Sequence, residues 1–523
     1  NGDVEFKRNT AGDLGGAIYN GGLNATVDMS KAIASFSGNK ATVDGGAIYN
    51  DANAVLKIGD AKFVNNRASY DSWDSEGYGG AIFANGDLDI VSEKVNGVMF
   101  SNNAAFSGGA VYGSKNSTIG MNLKNVLFVG NHAIADAGAL GIFNNDVSKL
   151  TNVVFRNNTV AVAVDGLIAE DDIKEADGGG AIQLGGTASA DLVKTHFVGN
   201  ESGVRGGAIS ARHGAGYELN ITDSSFTNNK SATNGGSIAN VFAGAVSIEN
   251  VNFIGNKANE RGGAIYNGQD WNFGSGDGGA MSSGDGIVNI SGTNVFSGNI
   301  AGDLGGAIFN GADGVINMTG INTFVNNTAN GGANDIYNDG TLNIAPVTKV
   351  VISGGIKGNG TLTLAGDATL DIGTSLVEQD KISIDGTVVA SIVSGRSYGR
   401  LSSDNLAFGE DAVLQLNIGS VGTYDIFGDG KKYDVDILVG DTYIATETDR
   451  GIVIETKSVA DIAEDAGLTV ETAGTVANLA NSVDRNLQKL SLLAQQALNS
   501  GNSALVEKET AKLAPEDENI TRS

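Results

Sequence analysis

The 523-residue chain is predicted to be all-β: a right-handed parallel β-helix (a solenoid) with a short C-terminal α-helical tail. Three observations carry that prediction. A Phe-x-x-Asn motif occurs eleven times, and each copy is followed after a variable loop by Gly-Gly-Ala-Ile or a degenerate form of it. The shortest steps between the aromatics are 27 to 29 residues and the longest 37 to 43. A period of this size marks stacked units, none of which buries its own apolar face. Strand-length apolar alternations separated by Gly, Asn and Asp turns fill the chain until a helical period replaces them near its end.

Residues 1–340 form the array. One unit runs Phe36-Ser37-Gly38-Asn39, then Gly45-Gly46-Ala47-Ile48, then a polar link and Ala54-Val55-Leu56-Lys57-Ile58. The aromatic of each copy is expected to stack on its counterparts in neighbouring coils, as in Phe36, Phe63, Phe253 and Phe296. The matching amides Asn39, Asn66, Asn256 and Asn299 are expected to form a dry ladder that satisfies turn backbone groups. The two glycines permit positive φ and a sharp turn. Ala, replaced once by Ser237, suits a tight inner corner, and the following Ile points inward. The next residue varies (Tyr19, Phe83, Gln183, Ser210, Ala239), as an outward face would.

Copies decay at Ala137-Gly138-Ala139-Leu140, which lacks one glycine, and at Gly331-Gly332-Ala333-Asn334, which lacks the inward apolar residue. Longer loops interrupt the array at about 69–78, 160–177 and 267–286. Tyr70, Trp73 and Tyr78 lie in the first and Trp271 and Phe273 in the third, which makes these aromatics candidate contact residues. From 341 to 457 the motif stops while strands continue, which predicts further coils and a capping region. Val476, Leu479, Val483, Leu487, Leu490, Ala494 and Leu498 then recur at helical spacing, predicting a helix over 473–499 within a linker tail of residues 458–523. A shorter helix over 503–513 stops before Pro515.

The chain holds 60 acidic and 33 basic residues, a net charge of −27. That excludes nucleic acid as the main partner and keeps a long β-surface soluble. With no cysteine, disulfides, thiolate zinc sites and thiol catalysis are excluded. No apolar run reaches membrane-spanning length.

The ordered pairing of Phe-x-x-Asn with Gly-Gly-Ala-Ile, over roughly residues 5–340, resembles the repeat of the chlamydial polymorphic outer membrane proteins (Pmp), autotransporters of the type V pathway. Residues 341–457 resemble the last coils and autochaperone-like region of such a passenger. The tail ending Ala511-Lys512-Leu513-Ala514-Pro515 resembles the segment before a translocator barrel, which is not present in this chain. The resemblance implies export through the periplasm, outer-membrane association and display on the bacterial cell surface. It also implies an adhesin or surface scaffold whose partner is a host-cell or bacterial surface protein or glycan. The absence of cysteine departs from many passengers of that family.

Parallel β-helices also host polysaccharide-degrading enzymes, so a polysaccharide-degrading enzyme stays open as a rival. The densest acidic cluster, Glu170, Asp171, Asp172 and Glu175, lies in an insertion and reads as a solvated loop. His132, His196 and His213 are scattered without metal-ligand spacing. Neither a nucleophile elbow nor a phosphate-cradling glycine loop occurs. The expectation is no catalysis and no cofactor, with weak surface Ca²⁺ binding left open at Asp-Gly pairs such as Asp44-Gly45 and Asp277-Gly278. A second rival is a self-assembling surface or filament protein, because exposed coil ends or the tail could mediate self-association.

Overall fold

A computed structural model shows a parallel β-helix. It describes residues 2–69, 77–114, 120–143, 146–161, 178–211, 216–241, 244–269, 286–429 and 431–458, with 461, 462 and 465. Each coil of the repeat array has four sides, and among the described residues the coils after residue 340 have three, the second side being missing. In one unit of the array the sides are the strands Ile33–Ser37, Lys40–Ala41, Ile48–Asn50 and Val55–Ile58. The next coil begins at Ala61–Val64, which pairs in parallel with Ile33–Ser37 and sets Phe63 opposite Phe36. Among the described residues, repetition builds a first sheet of 17 strands and third and fourth sheets of 14 strands each. The second side is built mostly of two-residue strands, with Ala104–Ser107 and His132–Asp136 longer. At a strand spacing of ~4.8 Å, the fourteen-stranded sheets extend roughly 60 Å.

Inside the first sheet the eleven phenylalanines form one column. Ring centroids lie 4.5–5.0 Å apart with planes within 9° of parallel. An isolated aromatic pair prefers an offset or edge contact. Here the strand spacing sets the rings parallel, and each inner ring is covered on both sides.

The third residue of Phe-x-x-Asn carries a constraint that the motif as written hides. Its φ lies between 52° and 65° in all eleven copies. That left-handed residue turns the chain from the first sheet into the second. It is Gly or Asn in every copy except Arg8, the residue types that tolerate this region.

The two glycines of Gly-Gly-Ala-Ile serve different ends. The first adopts positive φ in most copies, for instance 62° at Gly15 and 68° at Gly79 and Gly305, but not at Gly179. The second, for which no positive φ is needed, is a point of close approach. A Cβ there would lie 2.0–2.3 Å from a carbonyl oxygen of the next coil, as between Gly207 and Gly236. In the copy lacking one glycine, Ala137 occupies the first position at φ 52°. Ala137→Gly is therefore expected to stabilise the chain by about 1 kcal/mol, read as a higher urea midpoint.

Two expectations need correction. Residues following the inward Ile are not all solvated: Gln183, Ser210 and Ala239 are fully buried and Phe83 is 7% exposed. Nor does the last copy lose its inward residue. Gly332–Ala333 folds back antiparallel on Thr328–Ala329, so Asp335 takes the Ala position and Ile336 pairs with Ile308 in the inward column. Two residues are inserted, and the apolar side chain is displaced along the sequence.

At the C-terminal end the strands Gly422–Tyr424, Tyr443–Thr448 and Gly451–Thr456 form an antiparallel sheet. Ile452 and Ile454 join the core. Phe408, Phe427 and Tyr433 pack edge to face at 5.0–5.4 Å beside it. The helices expected over 473–499 and 503–513 lie outside the described residues.

Candidate functional site

The amides of Phe-x-x-Asn form a continuous hydrogen-bonded ladder through the coil corner. Each Nδ2 donates to Oδ1 of the next coil's Asn at 2.9–3.0 Å, from Asn9 through Asn39, Asn66, Asn256 and Asn299 to Asn327. It also donates to the carbonyl of the preceding coil's Phe, and Oδ1 accepts the preceding Asn backbone N–H. In every ladder link the Nδ2 donor precedes its Oδ1 acceptor in the chain, so the amide dipoles add. The positive end meets a carboxylate: Asn327 Nδ2 donates to Asp335 Oδ1 at 2.8 Å. The other oxygen of Asp335 accepts the Ser353 and Gly354 N–H groups at 2.8 and 2.6 Å. Burial still pushes the Asp335 carboxyl above its ordinary range.

A second amide ladder follows the third sheet, and sequence reasoning overlooks it. Asn240, Asn267, Asn310 and Asn338 are linked at 2.7 Å, and Asn338 donates onward to Gln379 at 2.5 Å. Asn20 and Asn50 begin the same column at the other end. The signal was present as a recurrent Asn two residues after the inward Ile.

Outside the third sheet another aromatic stack runs Tyr19, Tyr49, Phe83, Tyr112, Phe143, with centroids 4.9–5.8 Å apart. Tyr78 lies tilted on Tyr112 at 4.7 Å. Asp51 accepts the Tyr19 hydroxyl at 2.9 Å. Burial and the nearby Asp51 and Asp44 carboxylates push the Tyr49 phenol up to about 12. Asp44 itself is pushed up to about 6, chiefly by burial, although the Tyr78 N–H donates to it at 2.8 Å. A second run, Tyr266, Phe309 and Tyr337, carries the Arg261 guanidinium 5.2 Å above Phe309. Stacked rings cover one another's faces; Tyr19 is exposed, whereas Phe83, Tyr266 and Phe309 are buried.

Of the candidate contact aromatics, Tyr78 joins this surface, while Tyr70, Trp73, Trp271 and Phe273 lie outside the described residues. So do Glu170, Asp171, Asp172, Glu175, His213 and Asp277. His132 and His196 stand on different sides of the coil, Nδ1 of each within 2.9 Å of a hydroxyl, Thr159 and Ser225. Burial draws His132 down to about 4. Among the described residues no three His, Asp or Glu side chains converge as metal ligands.

The family model described as the Chlamydia polymorphic membrane protein repeat matches residues 3–21, 34–51 and 250–268. Each of these segments contains a ladder Phe, its Asn and the glycine corner or the approach to it. These segments carry Pmp-like repeats. The chain is 33% identical over 215 residues to the probable outer membrane protein PmpG of Chlamydia muridarum (strain MoPn / Nigg). That alignment covers 35% of this chain and 21% of the relative, so the chain spans about a fifth of that curated protein.

Proposed function

We propose that this chain is the passenger of a surface-displayed bacterial autotransporter, associated with the outer membrane and exported through the periplasm. It acts without enzymatic activity, as an adhesin or surface scaffold that presents loops on a rigid rod. Its partner is a surface protein or glycan of a host cell or bacterium. The observation that carries this reading is the similarity to a protein named for the outer membrane, in a chain whose repeated residues are used up in stacking, turning and hydrogen bonding. With the ladders occupied by structure, specificity falls to the segments that interrupt them.

Two measurements test it. Antibody against the chain should label intact cells that express the full reading frame, and external protease should remove the label. Purified chain should bind target cells, and the Trp73→Ala/Trp271→Ala variant should bind at least about tenfold more weakly with unchanged far-UV circular dichroism. Undiminished binding by that variant removes the loop assignment; label confined to permeabilised cells removes surface display.

A further inference from the structure

We propose that the Phe-x-x-Asn corner is a binding track for an extended anionic polysaccharide, sulfated or uronic. The outward side chains that bracket this corner stand one, two and four residues after each ladder Phe. Over the eleven copies these positions carry Lys7, Arg8, Lys40, Arg67, Arg156, Lys230 and Lys257, against a single acid, Glu201. The whole chain, with 60 acidic and 33 basic residues, has the opposite bias. The outward face of the fourth sheet is mixed, with Asp28, Asp87, Asp89, Asp191, Glu218 and Glu249 among Lys57, Lys124, Lys149 and Lys381. The corner differs in being almost free of acids.

Three features point to a ligand. First, Lys40, Arg156, Lys230 and Lys257 are exposed, and among the described residues none has a carboxylate within ion-pair distance. Lys7 pairs with Glu5, and on other sides Lys94 pairs with Asp60 and Lys124 with Glu93. Second, the cations are set beside one another: Lys40 faces Arg67 and Lys230 faces Lys257 on adjacent coils. Like charges directly opposite destabilise a sheet, and a polyanion lying across them would relieve that repulsion. Third, Arg8 holds a left-handed position, φ 54°, that ten other copies give to Gly or Asn. A guanidinium is thus kept at the corner despite the backbone strain.

The partner's shape follows from the row itself: the cations stand along one edge of successive coils, a line that an extended chain can follow. A narrow, linear polymer touches the edge alone. No Phe, Tyr or Trp occupies these bracket positions, so nothing there offers the stacking that single-stranded nucleic acid uses.

The test uses the purified full chain with heparin as the probe, and single-stranded DNA and anionic phospholipid vesicles as competitors. A K40Q/R156Q/K230Q/K257Q variant is compared with K57Q/K124Q/K149Q/K381Q, which removes the same charge from the fourth sheet. At about 50 mM salt the corner variant should bind heparin at least about tenfold more weakly, and its salt dependence should flatten by roughly one unit of slope per lost contact. The fourth-sheet variant should stay within about twofold of the native chain. Equal losses in both variants, no heparin binding by the native chain at that salt, or tighter binding to DNA or to vesicles would each overturn the proposal. Cell-surface display has no part in this measurement, so its failure and that of the passenger reading are separable.

Discussion

Asn158→Ala should cost on the order of 4 kcal/mol, while Asn157→Gly, one residue away, should leave stability within about 0.5 kcal/mol. Asn158 is fully buried. Its Nδ2 donates to the Phe128 carbonyl at 3.2 Å and to Asn200 Oδ1 at 3.0 Å. Its Oδ1 accepts the Asn131 backbone N–H at 3.0 Å and Asn131 Nδ2 at 2.9 Å. Truncation strands a backbone N–H, a backbone carbonyl and a side-chain N–H in a place closed to water, and each such group costs roughly 1–3 kcal/mol. Asn157, by contrast, is exposed at φ 52°, where glycine is at home. Asn158→Asp sharpens the test, because an ionised carboxylate cannot donate to the Phe128 carbonyl. Its burial raises the carboxyl's folded pKa above the unfolded value, so stability is greatest at low pH and is lost as pH rises. Because a solenoid is stabilised coil by coil, the loss should be local. Hydrogen exchange should quicken at the amides of Asn131, Asn158 and their neighbours before it does at the C-terminal cap. Equal destabilisation by the Asn157 and Asn158 variants would show that the ladder carries less than this geometry implies.

The contrast between Asn157 and Asn158 also shows what can be read from the chain alone. Phe and Asn stand out because stacking and amide ladders each demand one residue type at one position in every coil. The left-handed residue between them accepts two types, Gly and Asn, and so disappears into an x of the motif although its signal is nearly as regular. The ladder of Asn240, Asn267, Asn310 and Asn338 is legible in the same way once the second position after the inward Ile is compared across copies. Gln183, Ser210 and Ala239 are a different matter. Alternation says which way a side chain points, but not whether water lies beyond it, and their full burial depends on long-range packing that no local pattern encodes. Asp335 was hidden by the two inserted residues, which shift a charged group into a column otherwise filled by Ala or Ser. The cationic edge was obscured by the net charge of −27, a sum that conceals how charge is distributed around the coil. It becomes visible only when bracket positions 27 to 43 residues apart are brought into line.

Gly207→Ala should destabilise the chain by roughly 3 kcal/mol, more than Gly206→Ala at about 1–2 kcal/mol, although ordinary turn reasoning ranks them the other way. Gly206 has the positive φ, 62°, and a Cβ there would approach the Ile209 carbonyl at 2.2 Å. That contact is within one turn, and small rotations in the same coil can open it; Ala137 occupies the equivalent position at φ 52°. At Gly207 the new methyl would lie 2.2 Å from the Gly236 oxygen and 2.5 Å from the Lys230 oxygen, both backbone atoms of the next coil. Relief requires the coils to separate. Their spacing is held on one side by the Ala208–Ser237 backbone hydrogen bond at 3.0 Å and on the other by the Asn200–Asn229 amide link at 3.0 Å. A displacement of even half an ångström would weaken both, along with the Phe197–Phe226 stack at 4.6 Å. Urea midpoints for the two single variants decide the order, and exchange at the Gly207, Ala208 and Lys230 amides locates the damage. A larger loss for Gly206→Ala would mean that the backbone conformation of the corner, and not the approach of successive coils, is what the paired glycines protect.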